Sequence, residues 1–288
     1  MKPYFETDRG ELYNGDCMEV MRQLPSKSVN CGITSPPYFG LRNYGIDGQL
    51  GLEPTPEAYI SNLVSVFQEF KRVLRDDGTL WLNLGDSYTG GGKVVSNLKP
   101  KNLVGIPWRV AFALQTDGWY LRQDIIWHKP NPMPESITDR CTKAHEYIFL
   151  LSKSPKYYYD YEVIKKPCVV PLRTRKRLNG KRNDELSKGQ DTCCGVISEF
   201  RNKRSVWTVT TNNFKEAHFA TFPPDLILPC VLAGCPKDGV IMDMFFGAGT
   251  TGLVAIENKR KFIGVELSEK YCEIAAKRIE SAASQKRF

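Results

Sequence analysis

Directly after the apolar stretch Ser28–Thr34 the chain reads Ser35-Pro36-Pro37-Tyr38. Two consecutive prolines fix the backbone and remove two N–H donors, so the carbonyl oxygens of this turn face outward as acceptors. Ser35 adds a hydroxyl, and Tyr38 adds a ring that can stack on a flat heterocycle. Acceptors beside an aromatic face suit the exocyclic amino group of a nucleobase drawn out of its stack. The same four residues also read as an ordinary strand-ending turn with a core tyrosine.

A second constellation lies near the other end of the chain, at Asp243-Met244-Phe245-Phe246-Gly247-Ala248-Gly249-Thr250-Thr251-Gly252. Gly247 and Gly249 let the backbone approach a ligand closely. The N–H groups at Thr250 and Thr251, where a helix begins, favour a carboxylate or phosphate. Glu266 ends the next apolar stretch, where a carboxylate can take both hydroxyls of a ribose. Strand, glycine turn, helix, strand and terminal acid together point to a nucleoside-containing ligand. The spacing fits a dinucleotide and S-adenosylmethionine equally well.

The elements that must position these groups follow from the hydrophobic pattern. Glu11–Tyr13 and Ser28–Thr34 read as strands, with Cys17–Leu24 a helix between them. Pro56 opens a long helix whose apolar positions Ile60, Leu63, Val64, Phe67, Phe70 and Leu74 recur at three to four residues, and Asp77-Gly78 is expected to end it. Thr79–Leu84 (strand), Leu103–Leu114 (helix), Tyr120–Trp127 and His145–Ser152 (strands) follow. Beyond residue 206 the alternation resumes with a helix from Pro223-Pro224, a strand Gly239–Phe245, a helix Thr250–Asn258, a strand Lys261–Glu266 and a last helix after Ser268. Strands alternating with helices predict an α/β fold, a doubly wound and mostly parallel sheet covered on both faces.

The chain has 288 residues and a formal net charge of +8. Residues 165–204 hold twelve basic and four acidic side chains, a surplus equal to that of the entire chain. A neutral body with one basic segment points to a polyanionic partner. Arg173, Arg175, Lys176, Arg177, Lys181 and Arg182 are the candidate contacts for that partner. The alternation breaks down over 155–206, which reads as an insertion dividing one α/β domain into parts at 1–154 and 207–288. No apolar run approaches a membrane span, and the N-terminus lacks the apolar core of a signal peptide. Nine cysteines, an odd number without an export signal, read as free thiols. Cys193-Cys194 and Cys230 with Cys235 lack zinc-site spacing, and no metal is expected.

Ser35–Tyr38 ahead of Phe245-Phe246-Gly247-Ala248-Gly249, with a basic region between them, resembles the beta group of amino-methylating DNA methyltransferases. That resemblance implies a Rossmann-like methyltransferase fold with circularly permuted motif order, S-adenosylmethionine as cofactor and double-stranded DNA as partner. It places catalysis on Ser35, Pro36, Pro37 and Tyr38. It places the cofactor against Asp16, Asp243, Phe245, Gly247, Gly249, Thr250, Thr251 and Glu266, with Asp16 equally readable as a helix cap. Met244 stands where the family usually has proline. His218–Leu226 resembles a stretch packed near the methionine tail, and Trp127–Asn131 resembles the loop beside the base pocket.

The Ser-Pro-Pro-Tyr form implies cytosine N4 as the methylated amine, with adenine N6 as the alternative and a catalytically inactive nucleic-acid-binding module as a further one. Carbon-5 methylation would need a nucleophilic thiolate, and the loosely similar Pro229-Cys230 sits in an apolar helical stretch. A prokaryotic or phage cytoplasmic setting fits this family. A restriction endonuclease as second partner, and monomer against homodimer, stay open.

Overall fold

A computed structural model describes residues 1–41, 43, 45, 46, 48–90, 98–168, 199–211 and 222–285. In chain order the elements are β1 (Phe5–Thr7), β2 (Gly10–Asn14), α1 (Cys17–Gln23), β3 (Val29–Thr34), α2 (Pro56–Val73), β4 (Leu74–Leu84), α3 (Ile106–Thr116), β5 (Tyr120–His128) and β6 (His145–Ser152). A single 3-10 turn at Glu162–Ile164 precedes β7 (Lys166–Pro167), β8 (Phe200–Arg201) and β9 (Val206–Thr208). Then come α4 (Pro224–Gly234), β10 (Val240–Asp243), α5 (Thr250–Glu257), β11 (Lys261–Glu266) and α6 (Glu269–Gln285).

One large sheet runs in the order β1-β2-β11-β10-β3-β4-β6-β5-β9. Its middle, from β2 through β11, β10 and β3 to β4, is parallel throughout. Helical crossovers make that arrangement, and they cover both faces. α1, α2 and α3 bury Met21, Phe67, Phe70 and Val110 on one side. α4, α5 and α6 bury Leu226, Val231, Val254 and Ile279 on the other. The fold is therefore the doubly wound, mostly parallel α/β architecture that the alternation predicts.

Three local departures have simple causes. The long helix ends at Val73, and Leu74 already pairs with Val29; the pairing resumes only at Cys31 with Thr79, so Arg75–Gly78 bulge out of β4. β6 runs antiparallel to both β4 and β5. A loop with no helix, residues 129–144, joins β5 to β6, and an antiparallel pair needs no crossover. Finally, the polar stretch from 155 onward carries anchors that periodicity does not register. The Tyr159 ring stacks on Trp81 at 6.2 Å, the Tyr158 N–H donates to the Asp77 carbonyl at 2.8 Å, and the Asp160 N–H donates to the Ala233 carbonyl at 2.9 Å. Single hydrogen bonds and isolated tyrosines hold irregular backbone without leaving a repeat. No helix among the described residues is long and apolar enough to cross a membrane.

Candidate active site

The parallel strands present their carboxyl ends on one edge of the sheet. From β10 the chain continues through α5 to β11 on one side, and from β3 through α2 to β4 on the other. The gap between β10 and β3 is thus a switch point, the place where open α/β sheets bind ligands. A cleft of about 1010 Å³ opens there, lined by Asp16, Ser35, Tyr38, Phe245, Gly247 and Glu266 among others. Pockets for one small ligand run from roughly 300 to 1,000 Å³, so this cleft lies at the upper end of that range.

On the β10 side the glycine turn is shaped from beneath. The Phe246 ring is buried and stacks on Phe262 at 5.5 Å. A Cβ on Gly264 would lie 2.6 Å from that ring, so Gly264 leaves the space it fills. Phe245, its neighbour, faces the cleft. Gly249 adopts a left-handed φ of 79° as the residue capping α5, and a Cβ there would lie 2.9 Å from Ala275. Gly247, at φ 50°, turns its N–H toward Glu266 Oε2 at 2.7 Å. The other oxygen, Oε1, accepts from the Ser268 N–H at 2.8 Å. Burial pushes the Glu266 carboxyl above its ordinary value, and these backbone donors pull against that rise. Each carboxylate oxygen has a second lone pair, so Glu266 can still accept hydroxyl protons.

On the β3 side the order comes from side chains of distant strands. Ser35 Oγ donates to Tyr38 Oη at 3.4 Å, and Tyr38 Oη donates to Glu146 Oε2 on β6 at 2.7 Å. Asn83 on β4 lies 3.2 Å from the same hydroxyl, and its amide donates to Glu146 at 3.3 Å and to the Tyr147 carbonyl at 3.0 Å. Lys129 forms an ion pair with Glu146, and its ammonium sits 4.3 Å from the centre of the Trp127 ring. Burial, and next the charge of Glu146, hold the Tyr38 hydroxyl well above its usual range, so it stays protonated at neutral pH. The Tyr38 ring lies against Gly85, where a Cβ would come within 2.5 Å of it. Tyr59 donates to the Pro37 carbonyl at 2.8 Å and pins the turn from α2.

One contact ties the halves together. Asp243 is 1 % exposed and accepts from Thr34 Oγ1 and Thr251 Oγ1, each at 2.6 Å, and from the Phe245 N–H at 3.1 Å. Burial pushes its carboxyl up to about 6. Asp243 and Thr251 therefore lie beneath the glycine turn and, with Gly249, outside the cleft lining, whereas Asp16, Phe245, Gly247, Thr250 and Glu266 are in it. Asp16 also caps α1, with Oδ1 accepting from the N–H groups of Met18 and Glu19 at 2.9 and 3.2 Å. Arg278 donates to the Ala248 carbonyl and, at 3.3 Å, to Thr250 Oγ1, bracing the turn from α6.

Ser35, Pro36, Pro37 and Tyr38 all line the cleft. Arg173, Arg175, Lys176, Arg177, Lys181 and Arg182 lie outside the described residues, as do Cys193, Cys194 and His218. Asn83 and Glu146 carry no motif, and sequence reasoning passes over them. A signal was available all the same: each is a strongly polar residue within a mostly apolar strand, TLWLNL and HEYIFLLS.

A family model described as DNA methylase, of the N6/N4 type, matches residues 29–277. The Type II methyltransferase M.Cfr9I of Citrobacter freundii is 46% identical, the match covering 96% of this chain and 89% of that one. M.SmaI of Serratia marcescens is likewise 46% identical, covering 92% of this chain and 89% of its own. Among solved structures, a PvuII DNA methyltransferase described as cytosine-N4-specific superposes with a TM-score of 0.71 at 21% identity, covering 98% of this chain and 93% of that chain. A putative DNA modification methylase from Thermus thermophilus, complexed with S-adenosyl-L-methionine, superposes with a TM-score of 0.64 at 23% identity, covering 94% of this chain and 93% of that chain.

Proposed function

The chain belongs to the N6/N4 DNA methylase family and is an S-adenosylmethionine-dependent DNA methyltransferase, and we propose that it methylates the exocyclic N4 amine of cytosine in duplex DNA, reached by turning the base out of the helix. The observation that carries this reading is the placement of Ser35–Tyr38 and of Phe245, Gly247 and Glu266 on opposite walls of one cleft. The serine form of the Pro-Pro motif, and a similar fold in an enzyme described as cytosine-N4-specific, favour cytosine over adenine N6.

The cofactor wall fits S-adenosylmethionine. Glu266, a largely buried carboxylate on the cleft, suits the ribose hydroxyls, and Phe245 and Gly247 suit the methionine part. Thr250, at the α5 N-terminus, suits its carboxylate. When bound, the cofactor supplies an electrophilic methyl group on a sulfonium.

On the opposite wall the difficulty is the amine. Its lone pair is delocalised into the ring, which makes it a poor nucleophile. Ser35 Oγ and the Pro36 carbonyl would each accept one amine proton, favouring a pyramidal nitrogen with a localised lone pair. The Ser35 hydroxyl proton is already directed at Tyr38 Oη, which leaves the oxygen's lone pairs for that purpose. The two acceptors and the base-stacking Tyr38 are set before the base arrives, so positioning and preorganised hydrogen bonds supply the acceleration.

The basic residues Arg173, Arg175, Lys176, Arg177, Lys181 and Arg182 suit DNA phosphates, in a recognition region spanning 155–206 between the two parts of the domain. A bacterial cytoplasmic setting, and a cognate restriction endonuclease, accord with the Type II names of the relatives. The test is nucleoside mass analysis of DNA incubated with the protein and S-adenosylmethionine. N4-methylcytosine is expected, and N6-methyladenine in its place would overturn the base assignment.

A further inference from the structure

The loop joining β5 to β6 starts beside the Tyr38 network and leaves it at once. Lys129, its first residue, pairs with Glu146, the acceptor of the Tyr38 hydroxyl. Asn131 is clasped to the backbone of Thr211, accepting from its N–H at 3.1 Å and donating to its carbonyl at 3.4 Å. Farther along, Arg140 donates to Glu135 at 2.7 Å and to the Cys141 carbonyl at 3.2 Å, and it lies 3.9 Å from the centre of the Tyr88 ring. Lys101 holds Asp139 at 2.7 Å. Between these anchors stand Pro132, Met133 and Pro134, all on the cleft wall.

Met133 is 84% exposed, more than any other large hydrophobic side chain among the described residues. A single exposed apolar residue is ordinary on a protein surface and would mean little alone. Its setting is not ordinary. Two prolines fix the backbone on either side, and both ends of the loop are hydrogen-bonded down. Four residues span at most about 14 Å, so Met133 stands at the mouth of the pocket whose wall Lys129 and Glu146 build. A base turned out of a duplex leaves a gap in the stack, and apolar side chains, methionine among them, are able to insert as wedges between base steps. A loop already ordered loses little further entropy when it enters one.

We propose that Met133 is a duplex wedge: its thioether side chain enters the base stack beside the target nucleotide and occupies the space vacated while the base lies against Tyr38. This rests on the flipped-base reading above. The test is single-turnover methylation of two duplexes carrying the mapped methylation site, one fully paired and one with the target base opposite an abasic position. On the paired duplex, Met133→Ala and the equally long but polar Met133→Gln should be slower by about tenfold or more, and Met133→Leu should recover most of that loss. On the pre-opened duplex, where no partner base must be displaced, the Ala and Gln rates should approach that of wild type. Equal losses on both duplexes would overturn the wedge and assign Met133 to the chemistry, and no loss on either would make it a surface residue. Wild-type protein that binds the paired duplex with no fluorescence rise from a 2-aminopurine placed next to the target would overturn the flipped-base reading and the wedge together. A deficit confined to the variants leaves that reading standing.

Discussion

The two walls of the cleft are built by opposite strategies. The β10 wall is local: the Gly247 N–H meets Glu266 only 19 residues away, and Phe246 fills the space left by Gly249, Gly252 and Gly264. Its functional surface combines backbone shaped by left-handed glycines with the side chains of Phe245 and Glu266. The β3 wall is assembled from afar: Tyr38 reaches Asn83 across 45 residues and Glu146 across 108. Its functional surface is the Ser35 hydroxyl, the Pro36 carbonyl and the Tyr38 ring, stiffened by prolines and by a polar network. Holding a cofactor asks for close approach, which glycine supplies. Activating an amine asks for acceptors aimed in advance, and here a cross-strand network holds Tyr38 and the turn that carries them.

If the walls divide the work in this way, variants should separate catalysis from cofactor binding. The largest effect is expected from Ser35→Ala, which removes one of two aimed acceptors. Single-turnover methyl transfer should fall by about 10²–10³, on the order of 3–4 kcal/mol, with cofactor affinity by calorimetry unchanged. A fully active Ser35→Ala would break the division outright.

Next in size is loss of the Tyr38 platform. Tyr38→Ala should cost roughly 1–3 kcal/mol through lost stacking, seen as weaker capture of the flipped base. Gly85→Ala should reproduce part of that loss, because its Cβ would sit 2.5 Å from the Tyr38 ring and must displace it. If Gly85→Ala leaves the rate untouched, the ring position is not what matters on this wall.

On the other wall, Glu266→Gln keeps an acceptor for the backbone but loses the charge and one acceptor oxygen. Its cofactor KM should rise several-fold while DNA affinity, measured without cofactor, stays at the wild-type value. Parallel loss of both would show that Glu266 serves the fold instead.

The last prediction concerns the seam, where the readout is stability and not the rate of methyl transfer. Asp243 is buried and titrates near 6 in the folded chain. The native state keeps this proton over a range where the unfolded chain has released it, so stability from this group is complete below the ordinary carboxylate value and is lost as pH rises through about 6. The whole change is roughly 2–3 kcal/mol at most. Melting temperatures of wild type and Asp243→Asn between pH 4 and 7 check it, since the variant should lack that slope. Identical slopes would mean that Asp243 does not titrate in this window.

Much of this was legible in the sequence, and the legible part is mostly local. The cleft-lining residues of the glycine turn are named by their own motif, because a left-handed φ and a helix start depend on neighbouring residues. The basic window at 165–204 is a matter of composition. Residues that act across strands were not legible. Glu146 is one acid at the start of a mostly apolar strand, and nothing near it in the chain announces Tyr38 or Lys129. Asp243 sits in the glycine-turn motif and reads as a ligand contact, yet the structure turns it inward, where Thr34 and Thr251 take both its oxygens.

The sequence by itself determined the alternation of strands and helices, the order of the Pro-Pro and glycine motifs, and the kinds of chemistry those motifs allow. Each follows from a period or a turn, which a few adjacent residues decide. Only the tertiary structure decided that β3 lies beside β10 and that antiparallel β6 slots between β4 and β5. Those neighbours bring Thr34 to Asp243 and Glu146 to Tyr38. Strand order and register are settled by burying both faces of the sheet at once, a condition on the whole chain that no local window contains.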